Sequence, residues 1–222
     1  AVVKMDVQVK PVAVVAAVTP TSGCVPLTVN FINTGSAGAY YIWDFGDGSP
    51  IDTITSPSHT YSLVGTYTLT LYAIDSIGIC GFNDTAVAII TVGEPPVLAT
   101  SQVNLLCNGA ANGSATVTPT GGMPPLTYSW NPSAQTNSTV TGLSAGTYSV
   151  TVKDKLGCSA IKTVIITQPP PLTLPTSIVA ASCGIPNGSI TATGGGGTPG
   201  YTYSWSTSPV QTASTATGLG SG

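Results

Sequence analysis

Few residues of this 222-residue chain could carry chemistry, and His59 is its only histidine. A catalytic histidine needs a nucleophile and an orienting acid within hydrogen-bond reach. His59 instead stands in the triplet His-Thr-Tyr, and the chain has no nucleophile motif such as Gly-x-Ser-x-Gly. The sequence therefore predicts a structural hydrogen bond at His59 and a segment that is not an enzyme.

Two acidic residues flank a glycine turn in the run Asp44-Phe45-Gly46-Asp47-Gly48. With Asp52 or Asp75 as helpers, Asp44 and Asp47 could supply the carboxylate oxygens that Ca²⁺ prefers. The alternative is that Asp47 only caps the turn by accepting hydrogen bonds from nearby backbone amides. No cofactor other than this candidate calcium is expected.

The three tryptophans could be platforms on which sugar rings stack. Trp43, Trp130 and Trp205 each lie in an alternating strand pattern beside another aromatic residue. That setting favours a sandwich core, where a large ring fills space and its N–H finds a partner. We therefore expect all three rings to be buried.

The five cysteines are widely spaced, at Cys24, Cys80, Cys107, Cys158 and Cys183. Zinc sites use close Cys-x-x-Cys pairs, so this spacing favours disulfides formed in an oxidising compartment, with buried free thiols as the alternative. Cys24 precedes one predicted strand and Cys80 follows another in the same region. A Cys24–Cys80 bridge is therefore expected, and it would stabilise a small core by about 3–4 kcal/mol.

The elements that must position these residues are β-strands in which apolar and polar residues alternate. Tyr41, Trp43 and Phe45 recur at a period of two, which places three rings on one face of a strand. Gly46-Asp47-Gly48 then supplies a tight reversal. The same alternation marks two further strands, at Leu27, Val29 and Phe31 and at Tyr67, Leu69, Leu71 and Ala73.

Proline runs divide the chain into modules. The two runs are Glu-Pro-Pro at residues 94–96 and Gln-Pro-Pro-Pro at residues 168–171. Proline has no backbone N–H to donate to a neighbouring strand, so both runs predict stiff, extended linkers. We expect β-sandwiches in module 1 (residues 11–93), module 2 (residues 97–168) and module 3 (residues 172–222). Residues 1–10 are predicted to be the last strand of a preceding domain or an orphan strand.

Module 3 repeats the sequence motifs of module 2 about 75 residues later, which indicates tandem domains rather than a solenoid. Cys183 corresponds to Cys107, and Gly222 corresponds to Gly146, where a Gly-Thr-Tyr strand begins in module 2. Module 3 is therefore expected to be truncated. The same comparison predicts a Cys107–Cys158 bridge in module 2 and leaves Cys183 unpaired by the truncation.

Charge is scarce, because only 6% of the residues are charged and none of the five cations is an arginine. An ordinary globular protein has about 25% charged residues. The basic patch that phosphate backbones require is missing, so nucleic acid is not an expected partner. The longest apolar run, Val12–Val18, is far shorter than the roughly 20 residues of a spanning helix. No membrane insertion is predicted for this segment.

The runs Trp-Asp-Phe-Gly-Asp-Gly (residues 43–48), His-Thr-Tyr (59–61) and Gly-Thr-Tyr-Thr-Leu-Thr-Leu (65–71) together resemble the polycystic kidney disease (PKD) domain. The runs at residues 121–130, 142–148 and 154–158 resemble the SprB-type repeat, which is named for a gliding-motility surface adhesin of Bacteroidota. The resemblance implies tandem Ig-like β-sandwich domains, joined by Pro-rich linkers, in a long secreted chain. Such chains are often exported by the type IX secretion system.

The function implied by this resemblance is that of a non-catalytic extracellular segment, an interior piece of a large bacterial surface adhesin or fibre used in adhesion and gliding motility. Its partners would be surface polysaccharide, other cells and surfaces, and neighbouring copies of itself. Two alternatives stay open. One is a self-assembling extracellular filament subunit that uses β-strand addition. The other is a carbohydrate- or collagen-binding accessory module of a secreted hydrolase, which exposed Trp130 and Trp205 on one face would favour.

Three triplets resemble the Asp-Ser/Thr-apolar sequon at which Bacteroidota attach O-glycans to exported proteins. They lie at Asp52-Thr53-Ile54, Asp75-Ser76-Ile77 and Asp84-Thr85-Ala86. We predict a glycoprotein with O-linked glycosylation on at least one of Thr53, Ser76 and Thr85.

Overall fold

The computed structural model describes residues 16–35, 39–75 and 84–220. Over these residues the regular secondary structure consists of sixteen β-strands, so the predicted all-β class is confirmed. The chain divides into two compact units, one of Ala1–Leu98, Pro119–Thr127 and Thr151–Ala160, and one of Ala99–Thr118, Tyr128–Val150 and Ile161–Gly222. The predicted strand at residues 1–10, Ser76 and Cys80 lie outside the described residues.

Module 1 contains two sheets. Its strands are β1 Ala16–Thr19, β2 Ser22–Cys24, β3 Leu27–Asn33, β4 Ala39–Asp44, β5 Ser58–Tyr61, β6 Gly65–Asp75 and β7 Asp84–Gly93. One sheet has the order β1-β3-β5 and the other has the order β2-β7-β6-β4. The pairs are antiparallel except for β2 with β7, which run parallel. This parallel pair places the end of β2 beside the end of β7.

The alternating residues of module 1 form its core. Tyr41, Trp43 and Phe45 are buried as predicted, and the ring of Phe31 lies 5.3 Å from that of Trp43 and 5.5 Å from that of Phe45. The predicted inner residues of the other strands are also buried, at Leu27, Val29, Leu69, Leu71 and Ala73. Full burial of an aliphatic or aromatic side chain contributes about 1.5–3 kcal/mol, so this face drives the closure of the two sheets.

Module 2 also contains two sheets. Its strands are β8 Val97–Val103, β9 Gly113–Thr120, β10 Thr127–Asn131, β11 Thr139–Leu143, β12 Gly146–Lys153 and β13 Ser159–Ile166. The sheet orders are β11-β9-β8 and β10-β12-β13. The inward residues again alternate, because Tyr148, Val150 and Val152 of β12 are buried.

Module 3 has one sheet among the described residues, with the order β14-β15-β16. Its strands are β14 Thr176–Val179, β15 Gly188–Ala192 and β16 Thr215–Leu219. β15 begins at Gly188 as β9 begins at Gly113, and the hydroxyls of Thr191 and Thr215 pair across the sheet as those of Thr116 and Thr139 do in module 2. This sheet is therefore the counterpart of β11-β9-β8.

The disulfide connectivity differs from the one expected. Cys24 is bonded to Cys158, with 5.4 Å between their Cα atoms. The predicted Cys24–Cys80 and Cys107–Cys158 bridges were therefore wrong, and Cys107 is free and exposed. The strand order of module 1 is the reason, because it brings Cys24 to the far end of β7 rather than to the end of β6. Cys183 is unpaired, as expected.

Candidate functional site

The candidate functional site is a clasp between modules 1 and 2 formed by Cys24, Gly93, Asp154, Leu156 and Cys158. All five residues belong to the first compact unit. The clasp contains the disulfide and, among the described residues, the one charged side chain that is buried. These two features select it as the candidate site.

The strand register supplies the first half of the clasp. Cys24 and Gly93 are partners in the parallel pair of β2 and β7, and the Val25 amide donates a hydrogen bond of 2.9 Å to the Gly93 carbonyl oxygen. Gly93 is the last residue of β7, directly before the linker at residues 94–96. Cys24 is thereby held at the boundary of module 1.

Asp154 shapes the turn that carries Cys158. One of its carboxylate oxygens accepts a 2.8 Å hydrogen bond from the Cys158 amide, and the other accepts a 3.0 Å hydrogen bond from the Met123 amide. The Asp154 amide donates to the Cys158 carbonyl oxygen at 2.9 Å, and Gly157 closes the turn with a φ of +90°. Charge-assisted bonds of this kind offset the cost of burying a carboxylate.

Gly93 has no side chain, which lets the turn that carries Leu156 and Cys158 approach module 1 closely. A Cβ atom on Gly93 would lie 2.6 Å from Cδ1 of Leu156 and 3.8 Å from the sulfur of Cys158. Gly93 is buried, and Cys158 is 1% exposed. Leu156 thus occupies the space that any larger residue at position 93 would need.

The linker is covered in a similar way. Pro96 is buried, and a Cβ atom on Gly122 would lie 3.2 Å from Cβ of Pro96 and 3.5 Å from Cβ of Asp154. In the second unit, the Gly197 amide donates a 2.8 Å hydrogen bond to the carbonyl oxygen of Pro170 in the linker at residues 168–171. In both units, therefore, a glycine-containing loop contacts the proline linker. The clasp as a whole is a covalent and packed cross-link that bypasses the linker backbone.

His59 has the structural role that the sequence predicted. Its Nε2 lies 2.7 Å from Oδ2 of Asp47, its ring stacks on Phe45 at 4.0 Å, and Tyr61 meets it edge-on. Partial burial alone would raise the pKa of Asp47, but hydrogen bonds from Ser49 and His59 outweigh it and hold this pKa below its ordinary value. Burial raises the pKa of Tyr61, whose hydroxyl donates to the Phe45 carbonyl oxygen.

The acidic residues near the glycine turn serve local structure. Asp44, Asp47 and Asp52 each accept a hydrogen bond from the amide two residues further on, at Gly46, Ser49 and Ile54. The turn-capping interpretation of Asp47 is therefore confirmed. Within the part of the chain that the structure describes, no group of three or more His, Cys, Asp or Glu residues is arranged to hold a metal ion.

The tryptophans divide into two classes. Trp43 and Trp130 are buried, at 0% and 2% exposure, as predicted. Trp205 is only partly buried, so its assignment to a closed core was wrong. The physical reason is that Trp130 lies in a sheet with β12 and β13, whereas the described part of module 3 contains no counterpart of that sheet. Burial of Trp130 also removes the paired exposed rings that would favour a sugar-binding accessory module.

Sequence reasoning missed a glutamine bracket that recurs in modules 2 and 3. The Gln135 side chain donates to the Thr141 carbonyl oxygen and accepts from the Thr141 amide. Gln211 makes the same two bonds with Thr217. The signal was present in the sequence, because a glutamine follows the tryptophan at nearly equal distance in both modules.

A groove of about 860 Å³ lies in the second unit. Its lining residues include Leu106, Cys107, Leu172, Tyr201, Tyr203 and Trp205. The Tyr203 hydroxyl accepts a 3.1 Å hydrogen bond from the Gly194 amide. Aromatic side chains of module 3 therefore border the groove.

The remaining candidate residues lie on the surface. Thr53 and Thr85 are exposed, so both predicted glycosylation positions are accessible. Among the described residues, no helix is long and apolar enough to cross a membrane.

Known protein families match most of the chain. Residues 8–91 match the PKD domain, and residues 99–135 and 176–210 match the SprB repeat. The predicted order of a PKD domain followed by SprB repeats is therefore confirmed. Both domain types indicate an extracellular or cell-surface protein built from modules that are typically non-catalytic.

Several solved structures are similar at low identity. A 3Ig structure of titin domains is 12% identical, with a TM-score of 0.46, and the match covers 85% of this chain and 77% of that one. The three N-terminal domains of the Hoc outer capsid protein of bacteriophage RB49 are 14% identical, with a TM-score of 0.39 and coverage of 83% and 69%. Fibronectin(III)-like modules of Clostridium thermocellum CbhA are 16% identical, with a TM-score of 0.39 and coverage of 70% and 95%.

Proposed function

Because this chain is a PKD domain followed by SprB repeats, we propose that it is a tension-bearing, non-catalytic segment of a large bacterial surface adhesin. The observation that carries the proposal is the clasp, since a covalent bond joins module 1 to module 2 across a proline linker. A connection of this kind keeps adjacent modules together when the chain is pulled.

The chemistry of the chain supports an extracellular setting. Disulfides persist in oxidising compartments and are rare in the cytosol of mesophiles. Only 6% of the residues are charged, so few interactions in this segment weaken as salt rises. With so few ions, most polar side chains of the chain carry hydroxyl or amide groups, which suits contact with polysaccharide and with other cells.

Adhesion in this proposal is the sum of many weak contacts along repeated modules. Tethered modules raise the effective concentration of each further contact, so avidity can exceed single-site affinity by about 10²–10⁴-fold. Gliding motility and export by the type IX secretion system would follow if the parent chain is an adhesin of the SprB kind.

The test uses cells of the native source. We expect an antibody raised against this 222-residue segment to label intact, unpermeabilised cells, and its monovalent fragment to reduce their attachment to polysaccharide-coated glass. A control antibody fragment against an unrelated surface protein should leave attachment unchanged. Labelling that requires permeabilisation, or attachment that is unaffected by the blocking fragment, would contradict the proposal.

A second candidate function is that of a filament subunit, and the groove in the second unit favours it. Aromatic side chains at Tyr201, Tyr203 and Trp205 border an open face that an added β-strand from another copy could cover. In that case the purified chain should assemble as its concentration rises. A constant monomer mass in light scattering across a hundredfold concentration range would exclude it.

A further inference from the structure

The Cys24–Cys158 bond closes a covalent loop that contains most of two modules. The two cysteines are 134 positions apart in the sequence. Cys24 is the last residue of β2, and β13 begins at Ser159, directly after Cys158. The loop therefore contains β3 to β12, together with the linker and the two buried tryptophans Trp43 and Trp130.

A pulled chain carries tension along its shortest covalent path. Tension that arrives from the N-terminal side reaches Cys24, crosses the two sulfur atoms, and leaves through Ser159. The backbone inside the loop is joined covalently to this path only at Cys24 and Cys158, and the bond holds their Cα atoms 5.4 Å apart. The ends of the loop cannot separate, so tension cannot extend the loop.

We propose that the Cys24–Cys158 bond is a mechanical bypass that withholds residues 25–157 from extension. The inference deepens the proposed function, on which its biological use rests, by naming the part that bears the tension. Within modules 1 and 2, the strands left on the loaded path are β1, β2 and β13. β1 and β13 stand at the ends of their sheet orders, β1-β3-β5 and β10-β12-β13, so they yield before either core is strained.

The contacts of the clasp suit this role. Cys158 is 1% exposed, which limits the access of a thiol that could exchange with the bond. The Asp154 carboxylate holds the Cys158 turn, and Leu156 fills the space beside Gly93. The bond is therefore embedded in packed structure rather than suspended between two flexible loops.

The test is single-molecule force spectroscopy of the 222-residue chain with a handle attached at each end. We expect the oxidised protein to show no extension from residues 25–157. Reduction of the same tethered molecule should then release a step of about 450 Å of contour length, at roughly 3.3–3.6 Å for each of the 134 residue positions. The C24S/C158S double variant should show this length without reductant, whereas the matched C107S/C183S variant should behave as the parent chain.

Each outcome is decisive. Equal contour lengths in the oxidised parent and in C24S/C158S would overturn the bypass. A released step of less than half the expected length would overturn it too, because a Cys24–Cys80 bridge hides a much shorter loop. The in situ reduction keeps the test valid if the double variant does not fold. Contour length does not depend on adhesion, so the two experiments can fail separately. If the bypass is confirmed and the attachment test fails, only the proposed function is contradicted.

Discussion

Cys24 and Gly93 are partners in the parallel pair of β2 and β7, and the absence of a side chain on Gly93 leaves the space that Leu156 fills. This relationship decides which cysteine Cys24 meets. The end of β7 is buried at Val92 and Gly93, and the turn that carries Cys158 packs against it through Leu156. The packing and the covalent bond therefore depend on one another.

Substitution of Gly93 by alanine should weaken the clasp. The new Cβ atom would lie 2.6 Å from Cδ1 of Leu156, and because that methyl group can shift, we expect a loss of about 1 kcal/mol in the free energy of unfolding. Urea denaturation measures it. In an L156A background the same substitution should cost much less. As a control, G146A meets only an ordinary 3.8 Å contact with Tyr148, and a loss equal to that of G93A would contradict the prediction.

Removal of the disulfide should destabilise the chain strongly. The C24S/C158S variant frees a loop that spans 134 positions, so we expect a loss of about 3–5 kcal/mol in the free energy of unfolding. The C107S/C183S variant should stay within about 0.5 kcal/mol of the parent, because both thiols are free and exposed. Non-reducing peptide mapping should recover one peptide pair that joins Cys24 to Cys158. Recovery of a Cys24–Cys80 pair would refute the connectivity.

Replacement of Asp154 by asparagine should also loosen the turn. Both carboxylate oxygens accept amide hydrogen bonds, whereas the asparagine side chain would turn a donor towards one of these amides. An unpaired buried donor costs about 1–3 kcal/mol, which thermal or urea unfolding can detect. D52N is the matched control, because Asp52 accepts a single amide bond that asparagine can also accept. Equal effects of the two substitutions would show that the Asp154 bonds contribute nothing special.

Asp47 should make the stability of module 1 depend on acid pH. Its pKa is lowered in the folded protein, so its contribution is fully present above about pH 4 and is lost as pH falls through the folded pKa. The difference in unfolding free energy between the parent and D47N should therefore shrink below about pH 4. S49A removes one of the donors that lower this pKa and should reduce the effect. A difference that stays constant from pH 7 to pH 2 would exclude this linkage.

O-linked glycosylation is expected on protein taken from the native source. Thr53 and Thr85 are exposed, and each follows an aspartate in the proposed sequon. Intact-mass and peptide mass spectrometry should find a glycan on at least one of Thr53, Ser76 and Thr85. The bacterially expressed chain without a glycosylation system provides the unmodified reference. All three residues bare in native material would end the hypothesis.

Several features could be predicted from the sequence because they depend on neighbours along the chain. The period of two at Tyr41, Trp43 and Phe45 predicts a strand with one buried face whatever lies opposite. The turn role of Asp47 follows from the glycines beside it. The internal repeat and the family motifs likewise need only comparison of one stretch of sequence with another.

Tertiary structure decided the features that depend on what meets across the fold. Widely spaced cysteines allow several pairings, and only the parallel register of β2 with β7, together with the Leu156 contact on Gly93, selects Cys24 with Cys158. Trp130 and Trp205 have nearly the same local sequence, yet their exposure differs because it depends on covering strands far along the chain. Local sequence therefore determined the strands and their buried faces, whereas long-range packing determined the clasp, since no single stretch contains both of its halves.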